Sequence, residues 1–454
     1  MQRNSVSTKV SSLLPRAAAL LLLGMLVLTC GKETSYTETD MATAWAKMSL
    51  RVTKGTPGNS PTYASRCFGY LGVTMYESIV NGYPDRRSLA GQLSGLSHLP
   101  GPEAGADYAW PLALNAGQAA ILRSLYNHTS DANKASIDSL EAEIEGYVRA
   151  TVDDGTAERS IAYGRQVASM IFEWSKSDGG HRAYLRNFNK EMVHPDRPGG
   201  WKPPLYAQSF SHHPLHPEWG TNRPFLPANY RMEPPTCIPY DTVPGSPYHE
   251  QFMEVYRTDR QLTQAQKEAA LWWGDDPDET FTPPGHSYYL ATLLLEQKHL
   301  PLIDCAETYA RTGMAVADAF INCWKWKFSF FTERPNTFIP QFIDPEWESF
   351  WPDPPFPAFP SGHAIQAAAA ATVLADLHGD EHVIVDRAHE GRRRDEVREV
   401  DFVIRKFSRL SDIATETADS RLYGGIHTPQ DNDAGLERGT EIGRNVNALQ
   451  WTKG

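Results

Sequence analysis

The sequence predicts an all-α protein. Apolar residues recur at helical spacing in many segments, and strand-like alternation is scarce along the 454 residues. Stop signals separate the segments, as where the apolar pattern of 63–80 ends at Asn81-Gly82. With 41% hydrophobic residues, the chain can bury a large core in one or two domains. We therefore expect helical bundles joined by long ordered loops.

Most of the chain has apolar residues at helical spacing. Residues 181–245 are instead rich in proline, histidine and aromatics, which predicts a long ordered loop that shapes an entrance. The charged segment 379–400 is expected to be an exposed loop. Helices are predicted near 41–81, 106–127, 132–152, 156–176, 247–258, 263–274, 286–298, 302–326, 364–377, 401–423 and 431–449.

The N-terminus has the pattern of an export signal. Basic residues precede an apolar run over 17–28, which is too short to span a bilayer. Cys30 closes this run and resembles the acylated cysteine of a bacterial lipoprotein; plain secretion is the alternative. We expect a signal peptide over 1–30, a tether over 31–40, and helical regions over 41–245 and 246–454. The protein is then exported and lipid-anchored at the cell envelope, or secreted.

Charge and cysteine content narrow the function classes. The formal net charge of -12 argues against a nucleic-acid partner. The remaining four cysteines permit disulfides after export, but they allow three pairings and the spacing selects none. Cysteine and histidine spacings typical of structural zinc are absent from the sequence. The four cysteines are Cys67, Cys237, Cys305 and Cys323.

The segment Phe356-Pro-Ala-Phe-Pro-Ser361-Gly362-His363 begins a predicted helix. Its prolines favour an extended entry, and Ser361 stands where an N-cap belongs. The free N–H groups of Gly362 and His363 and the positive end of the helix dipole would attract an anion. His363 adds a group that can carry a proton near neutral pH. An ordinary capped helix start is the alternative interpretation.

Two flanking segments add cations. Lys327 and Arg334 offer a point charge and a planar fork, which suit a tetrahedral oxyanion. Further on come Arg421 and His427, and Asp431 is spaced to accept the other imidazole N–H of His427. Each of these residues alone could be a surface charge or a salt-bridge partner.

Together these segments read Lys-x6-Arg-Pro, Pro-Ser-Gly-His and Ser-Arg-x5-His-x3-Asp. This three-part pattern resembles the signature of the type-2 phosphatidic acid phosphatase and vanadium haloperoxidase superfamily. Trp324, Phe356 and the Trp272-Trp273-Gly-Asp275 stretch before Thr282-Pro-Pro resemble its haloperoxidase branch. The resemblance covers about 245–450 and, weakly, the chain from residue 60. It implies the helical-bundle fold of that superfamily.

The resemblance also implies a vanadate cofactor and a role for each motif residue. His427 would bind vanadium, and His363 would be the general acid–base beside the apical oxygen. Asp275 would orient Arg421, and Asp431 would hold His427 from behind. Trp324 and Phe356 would wall the halide position. The equatorial oxygens would be held by Lys327, which also acts in catalysis, and by Arg334, Ser361, Gly362 and Arg421.

Two enzymatic functions remain open from the motifs. The first is a vanadium-dependent haloperoxidase that oxidises halide with hydrogen peroxide to hypohalous acid. The second is an exported acid phosphatase, in which His427 would be the nucleophile. A non-catalytic anion-binding surface protein would tolerate degraded motifs, and these are intact. One departure is Glu333, which stands where this branch often has an aromatic and would alter halide preference or face away.

Overall fold

The computed structural model describes residues 36–204, 207–208, 211–277 and 279–453, and helices dominate them. The predicted all-α class is confirmed. The predicted signal peptide lies outside the described residues. The α-helices of the described chain are α1 Glu38–Lys54, α2 Pro61–Glu77, α3 Trp110–Leu125, α4 Asp131–Arg149, α5 Asp154–Ser175, α6 Pro227–Tyr230, α7 Pro247–Asp259, α8 Gln264–Trp272, α9 Thr282–Glu296, α10 Leu302–Phe330, α11 Pro335–Phe342, α12 Gly362–His378, α13 Leu410–Tyr423 and α14 Pro429–Asn447.

Polar side chains at helix starts explain many of these boundaries. The Ser60 side chain accepts a hydrogen bond from Tyr63 N, and Pro61 occupies the first turn, where its missing N–H costs nothing. Thr263 and Gln266 form a reciprocal capping box at the start of α8. Such caps satisfy N–H groups that a helix cannot bond internally.

The prediction of an exposed loop over 379–400 is partly wrong. Strand β1 (Glu381–Asp386) pairs antiparallel with β2 (Arg405–Arg409), and Ile384 lies opposite Phe407. These two side chains join the main core, which explains why a segment of high charge is ordered. The helix predicted from 401 begins at Leu410, because the preceding residues pair with β1.

One continuous apolar core extends from Met41 in α1 to Trp451 after α14. Helices from both predicted regions, 41–245 and 246–454, contribute to it. The four cysteines in the described chain are free thiols, so no pairing has to be chosen. Within the described residues, no helix combines the length and apolarity needed to cross a membrane.

Small residues bring α12 and α14 into close contact. A Cβ on Gly439 would overlap the carbonyl oxygen of Ile365, and one on Gly435 would lie 2.9 Å from that of Ser361. Ser361 N in turn donates to the carbonyl oxygen of Asp431 at 2.8 Å. Backbone contact thus places the starts of both helices side by side, where the second and third motifs meet.

Candidate active site

Residues of the second and third motifs line one cavity of about 470 Å³ at the start of α12, and Trp324, three residues before Lys327, lines it as well. The cavity is lined by residues that lie far apart in the sequence, including Asp275, Trp324, Phe356, His363 and His427. Residues of the 181–245 segment complete its wall, among them Phe188 and Leu215.

Lys327 is fully buried at the C-terminal end of α10. Its Nζ donates to the carbonyl oxygens of Pro357 and Ala358 at 2.8 and 2.6 Å, so the extended entry to α12 holds the amine. The ammonium also lies 5.2 Å from the centre of the Phe356 ring. Burial, reinforced by the charge of Arg334, lowers the pKa of Lys327.

Two buried guanidinium groups face the same space. Arg334 donates from Nε to the carbonyl oxygen of Phe356 at 2.9 Å and from Nη1 to that of Ile426 at 2.7 Å. Arg421 donates from Nη2 to the carbonyl oxygen of Ala270 at 2.6 Å. Backbone carbonyls therefore aim both side chains, and burial lowers the pKa of each.

The described ion pairs give none of these three cations a carboxylate partner. A buried charge without a counterion is costly, and such groups usually pair with another charge. Such a group of cations would bind an anion, and Lys and Arg donors together suit a tetrahedral oxyanion.

His427 is placed as a neutral ligand. Its Nδ1 lies 2.9 Å from Asp431 Oδ2, which also accepts from Thr428 N at 3.0 Å in the capping box of α14. The carboxylate therefore keeps the proton on Nδ1, so the Nε2 lone pair faces the cavity side and accepts a long hydrogen bond from Arg334 Nη1 at 3.4 Å. Burial and the charges of Arg334 and Lys327 lower the pKa of His427, which favours the unprotonated form that binds a metal.

The start of α12 has the predicted capped geometry. The Ser361 side chain accepts from Ala364 N at 3.4 Å, while the N–H groups before it remain at the open end of the helix. A Cβ on Gly362 would meet Trp324 no closer than 3.7 Å, which is an ordinary contact. Packing alone therefore does not require glycine here, whereas a ligand lying against the backbone would.

His363 has one nitrogen held and one free. The backbone carbonyls of Trp273 and Gly274 lie beside its ring and favour a proton there, and Nε2 is buried with no partner in the described structure. Burial, helped by the charge of Arg421, lowers the pKa of His363 to about 3. The ring is thus neutral near pH 7 and can accept a proton at Nε2.

Two aromatic rings form a wall beside these donors. The centroids of Trp324 and Phe356 are 4.8 Å apart, and both rings line the cavity. Trp324 Nε1 donates to the carbonyl oxygen of Leu215 at 3.1 Å, so the long 181–245 segment fixes the orientation of the indole.

Asp275 has other partners than the sequence resemblance implied. Its oxygens lie 2.7 Å from His286 Nδ1 and 3.1 Å from His389 Nε2. The described contacts of Arg421 instead go to Ala270 and Ser420. The described contacts include no hydrogen bond between Asp275 and Arg421, so Asp275 acts on Arg421 through its charge, which raises the pKa of the guanidinium against the effect of burial.

Sequence reasoning missed His286, Asp386 and His389. Asp386 and His389 belong to the charged segment that was expected to be exposed, yet both are buried. His286 follows Thr282-Pro-Pro-Gly at the start of α9, and its spacing of eleven residues from Asp275 was the available signal.

Glu333 faces away from the cavity. Tyr248 Oη donates to Glu333 Oε1 at 3.1 Å in a separate apolar cluster formed by α7 and α11. Burial raises the pKa of Glu333 to about 7, although the Tyr248 hydrogen bond opposes this. Of the two expectations for this residue, the geometry supports the one that leaves the anion site unaffected.

Glu333→Gln is expected to stabilise the protein above neutral pH. The folded state binds more protons than the unfolded state between the ordinary pKa of 4.5 and about 7, so wild-type stability falls as pH rises through this interval. Glutamine stays neutral and still accepts from Tyr248, giving a gain of about 1–3 kcal/mol at about pH 8. Denaturant unfolding measures this gain in the free energy of unfolding, and the exposed Glu348→Gln is the control. An equal gain at pH 4 would contradict the assignment.

The fold and the site define an all-α enzyme with two neutral histidines, His363 and His427, beside a group of buried donors. We call these donors the oxyanion cage; they are Lys327, Arg334, Arg421 and the N–H groups at the start of α12. Residues 307–451 match the family model for the second helical-bundle domain of vanadium chloroperoxidase. The predicted resemblance to the vanadium haloperoxidase branch is thereby confirmed.

Solved structures extend the likeness over nearly the whole chain. The structure described as the first bacterial vanadium-dependent iodoperoxidase superposes with a TM-score of 0.78 at 27% identity, covering 93% of this chain and 98% of that one. Apo and holo bacterial vanadium-dependent chloroperoxidases share the fold, with TM-scores of 0.64 and 0.61 at 14% and 15% identity. They cover 86% and 87% of this chain, and 93% and 96% of their own. A search of curated protein sequences found no match.

Proposed function

We propose that the protein is a vanadium-dependent haloperoxidase that oxidises halide with hydrogen peroxide. The single observation that carries this function is the cage itself. Three buried cations that have no carboxylate partner among the described ion pairs lie near His427, and Arg334 Nη1 is 3.4 Å from its Nε2. Vanadate fits this donor set, because it is a hard tetrahedral anion that takes oxygen and nitrogen donors.

The chain supplies binding, orientation and proton transfer. Lys327, Arg334 and Arg421 would hold the oxygens of vanadate, with the N–H groups at the start of α12. His427 Nε2 would be its nitrogen ligand. Bound vanadate supplies a Lewis acid that activates hydrogen peroxide towards halide without changing its oxidation state.

His363 would take the proton of hydrogen peroxide at Nε2, the nitrogen that has no partner in the described structure. The carbonyls of Trp273 and Gly274 hold the other side of the ring, so Nε2 keeps its direction during the transfer. Trp324 and Phe356 would keep water from the halide position. Because these donors are oriented before the substrate arrives, the site is electrostatically preorganised.

We propose iodide as the first halide to test. The similar solved structure at 27% identity is described as an iodoperoxidase, which supports this choice. The described residues contain no observation that favours the phosphatase alternative, although phosphate would fit the same cage.

The test is reconstitution of the purified chain with orthovanadate. Vanadate is expected to switch on iodide oxidation by hydrogen peroxide, and at 100 times its dissociation constant to stabilise the fold by about 2.7 kcal/mol. Bromide, chloride and a phosphomonoester are assayed in parallel. The phosphatase would be established instead if the protein hydrolyses the phosphomonoester, if vanadate only inhibits that hydrolysis, and if no halide is oxidised.

The exported, lipid-anchored location is a second proposal. It is supported by the basic residues, the apolar run and Cys30 in the first thirty positions of the sequence. Fractionation of expressing cells tests it: the wild type is expected with the membranes, and Cys30→Ser in the soluble fraction. Equal distribution of both would refute the anchor.

A further inference from the structure

A buried charged cluster lies behind the oxyanion cage. It consists of Asp275, His286, Asp386 and His389, each no more than 2% exposed. His286 Nδ1 lies 2.7 Å from Asp275 Oδ2, and His286 Nε2 lies 2.8 Å from Asp386 Oδ2. Both nitrogens of one imidazole therefore face carboxylates.

This geometry defines the charge of His286. A neutral imidazole has one N–H and would turn a lone pair towards one carboxylate, whereas an imidazolium donates to both. Burial lowers the pKa of His286, but the charges of Asp275 and Asp386 outweigh it and raise the value to about 10. The other neighbours facing the ring are Trp273, Phe281, Tyr289 and His389.

The cluster holds the loop after α8 at both ends. Asp386 Oδ2 accepts from Trp272 Nε1 at 2.7 Å, and the Trp273 ring lies against His286 with centroids 4.6 Å apart. Asp275 has a φ of 49°, a left-handed conformation that a residue other than glycine keeps only when its surroundings fix it. The hydrogen bond from His286 to the Asp275 carboxylate is one such constraint.

The same loop positions the proton acceptor of the site. The carbonyls of Trp273 and Gly274 lie between the two anchored ends and beside the ring of His363, where they favour a proton on the nitrogen that faces them. If the loop shifts, His363 loses the contact that directs Nε2 into the cavity.

We propose that His286, as an imidazolium bridging Asp275 and Asp386, is a positioning residue that holds the 272–275 loop and thereby orients His363. The catalytic consequence rests on the proposed haloperoxidase function. The charge of His286 and the orientation of His363 do not.

A divalent cation is the competing occupant of this cluster. Single ligand atoms of Asp275, His286 and His389 lie within 4.8 Å of one another. Metal binding would need a deprotonated Nδ1 on His286, but that nitrogen lies at hydrogen-bond distance from Asp275.

Nitrogen-15 NMR of the full chain labelled at the histidine rings tests the charge without vanadate. At about pH 8 the wild type is expected to show one histidine protonated on both nitrogens, and His286→Gln to lack it. In Asp386→Asn the same signal should titrate at lower pH, because one carboxylate charge is lost. This variant decides the question if His286→Gln does not fold. Absence of a doubly protonated histidine in the wild type would overturn the proposal.

The same spectra report His363. The wild type should show His363 with the proton on Nδ1 alone, and His286→Gln a mixture of tautomers. In the vanadate-loaded enzyme, His286→Gln should lower kcat by about 10- to 100-fold, because His286 affects the reaction only through the general base His363. The halide KM and vanadate retention should change little. The exposed His98→Gln is the matched control.

Two results would contradict this role. One is a folded His286→Gln with unchanged His363 tautomer and kcat. The other is one equivalent of zinc or another divalent metal per wild-type chain that is lost in His286→Gln and in His389→Gln, which would make the cluster a metal site. A wild type without halide oxidation would refute the proposed function, while the NMR result would still decide the charge and the tautomer.

Discussion

Replacing His427 with alanine is expected to abolish vanadate retention and, with it, halide oxidation. Asp431 holds the proton on Nδ1 of His427, so Nε2 is the nitrogen that carries the lone pair a metal would bind. Without it the cations can still attract vanadate, but only as a freely exchanging anion. Vanadium content after gel filtration should fall from about one equivalent per chain to background.

His363→Ala is the matched control for that loss. It removes the proton acceptor but leaves the cations and His427 in place, so vanadium content should match the wild type. Halide oxidation should nevertheless fall by about 10²- to 10⁴-fold, the usual contribution of a general base. Full vanadium content in His427→Ala, or loss of vanadium in His363→Ala, would reverse the two roles.

Lys327→Gln is expected to weaken vanadate binding without destabilising the empty protein. A hydrogen bond to a charged group contributes about 1.5–3 kcal/mol, so affinity should fall by roughly 10- to 150-fold. The neutral amide can still donate to the Pro357 and Ala358 carbonyls that hold Nζ in the wild type. Titration calorimetry with orthovanadate measures the change.

The stability change of Lys327→Gln should depend on pH. Burial lowers the pKa of Lys327, so the unfolded chain binds more protons over the interval below the ordinary value of 10.5. Wild-type stability therefore rises with pH through that interval, and the advantage of the variant is largest below it. Denaturant unfolding of the empty protein checks this, with the exposed Lys325→Gln as control. If Lys327→Gln is less stable than the wild type at every pH, the buried charge of Lys327 does not destabilise the fold.

Much of the site could be predicted from the sequence because its parts are local. The N-cap at Ser361 and the carboxylate four residues after His427 are short-range features, and the structure places both as their spacing indicates. The helices were found in the same way, from apolar spacing and capping residues. The family motifs then indicated that the three segments meet.

Long-range partners could not be predicted in this way. Residues 379–400 have the composition of an exposed loop, and only the pairing of Ile384 with Phe407 shows why Asp386 enters the core. The same holds for Glu333, whose direction depends on Tyr248 in another helix. Charge patterns report the average environment of a segment and not the burial of one side chain within it.

The sequence by itself determined the helical class and the three motifs, and the family resemblance of those motifs implied the separate roles of His363 and His427. The class and the motifs depend on helix periodicity and on spacings of a few residues, which local chemistry imposes. The tertiary structure decided that Asp275 pairs with His286 and His389, that Glu333 faces away, and that the 181–245 segment walls the cavity. Those contacts join residues from about ten to more than a hundred positions apart, and folding selects them by burying charges where partners are available.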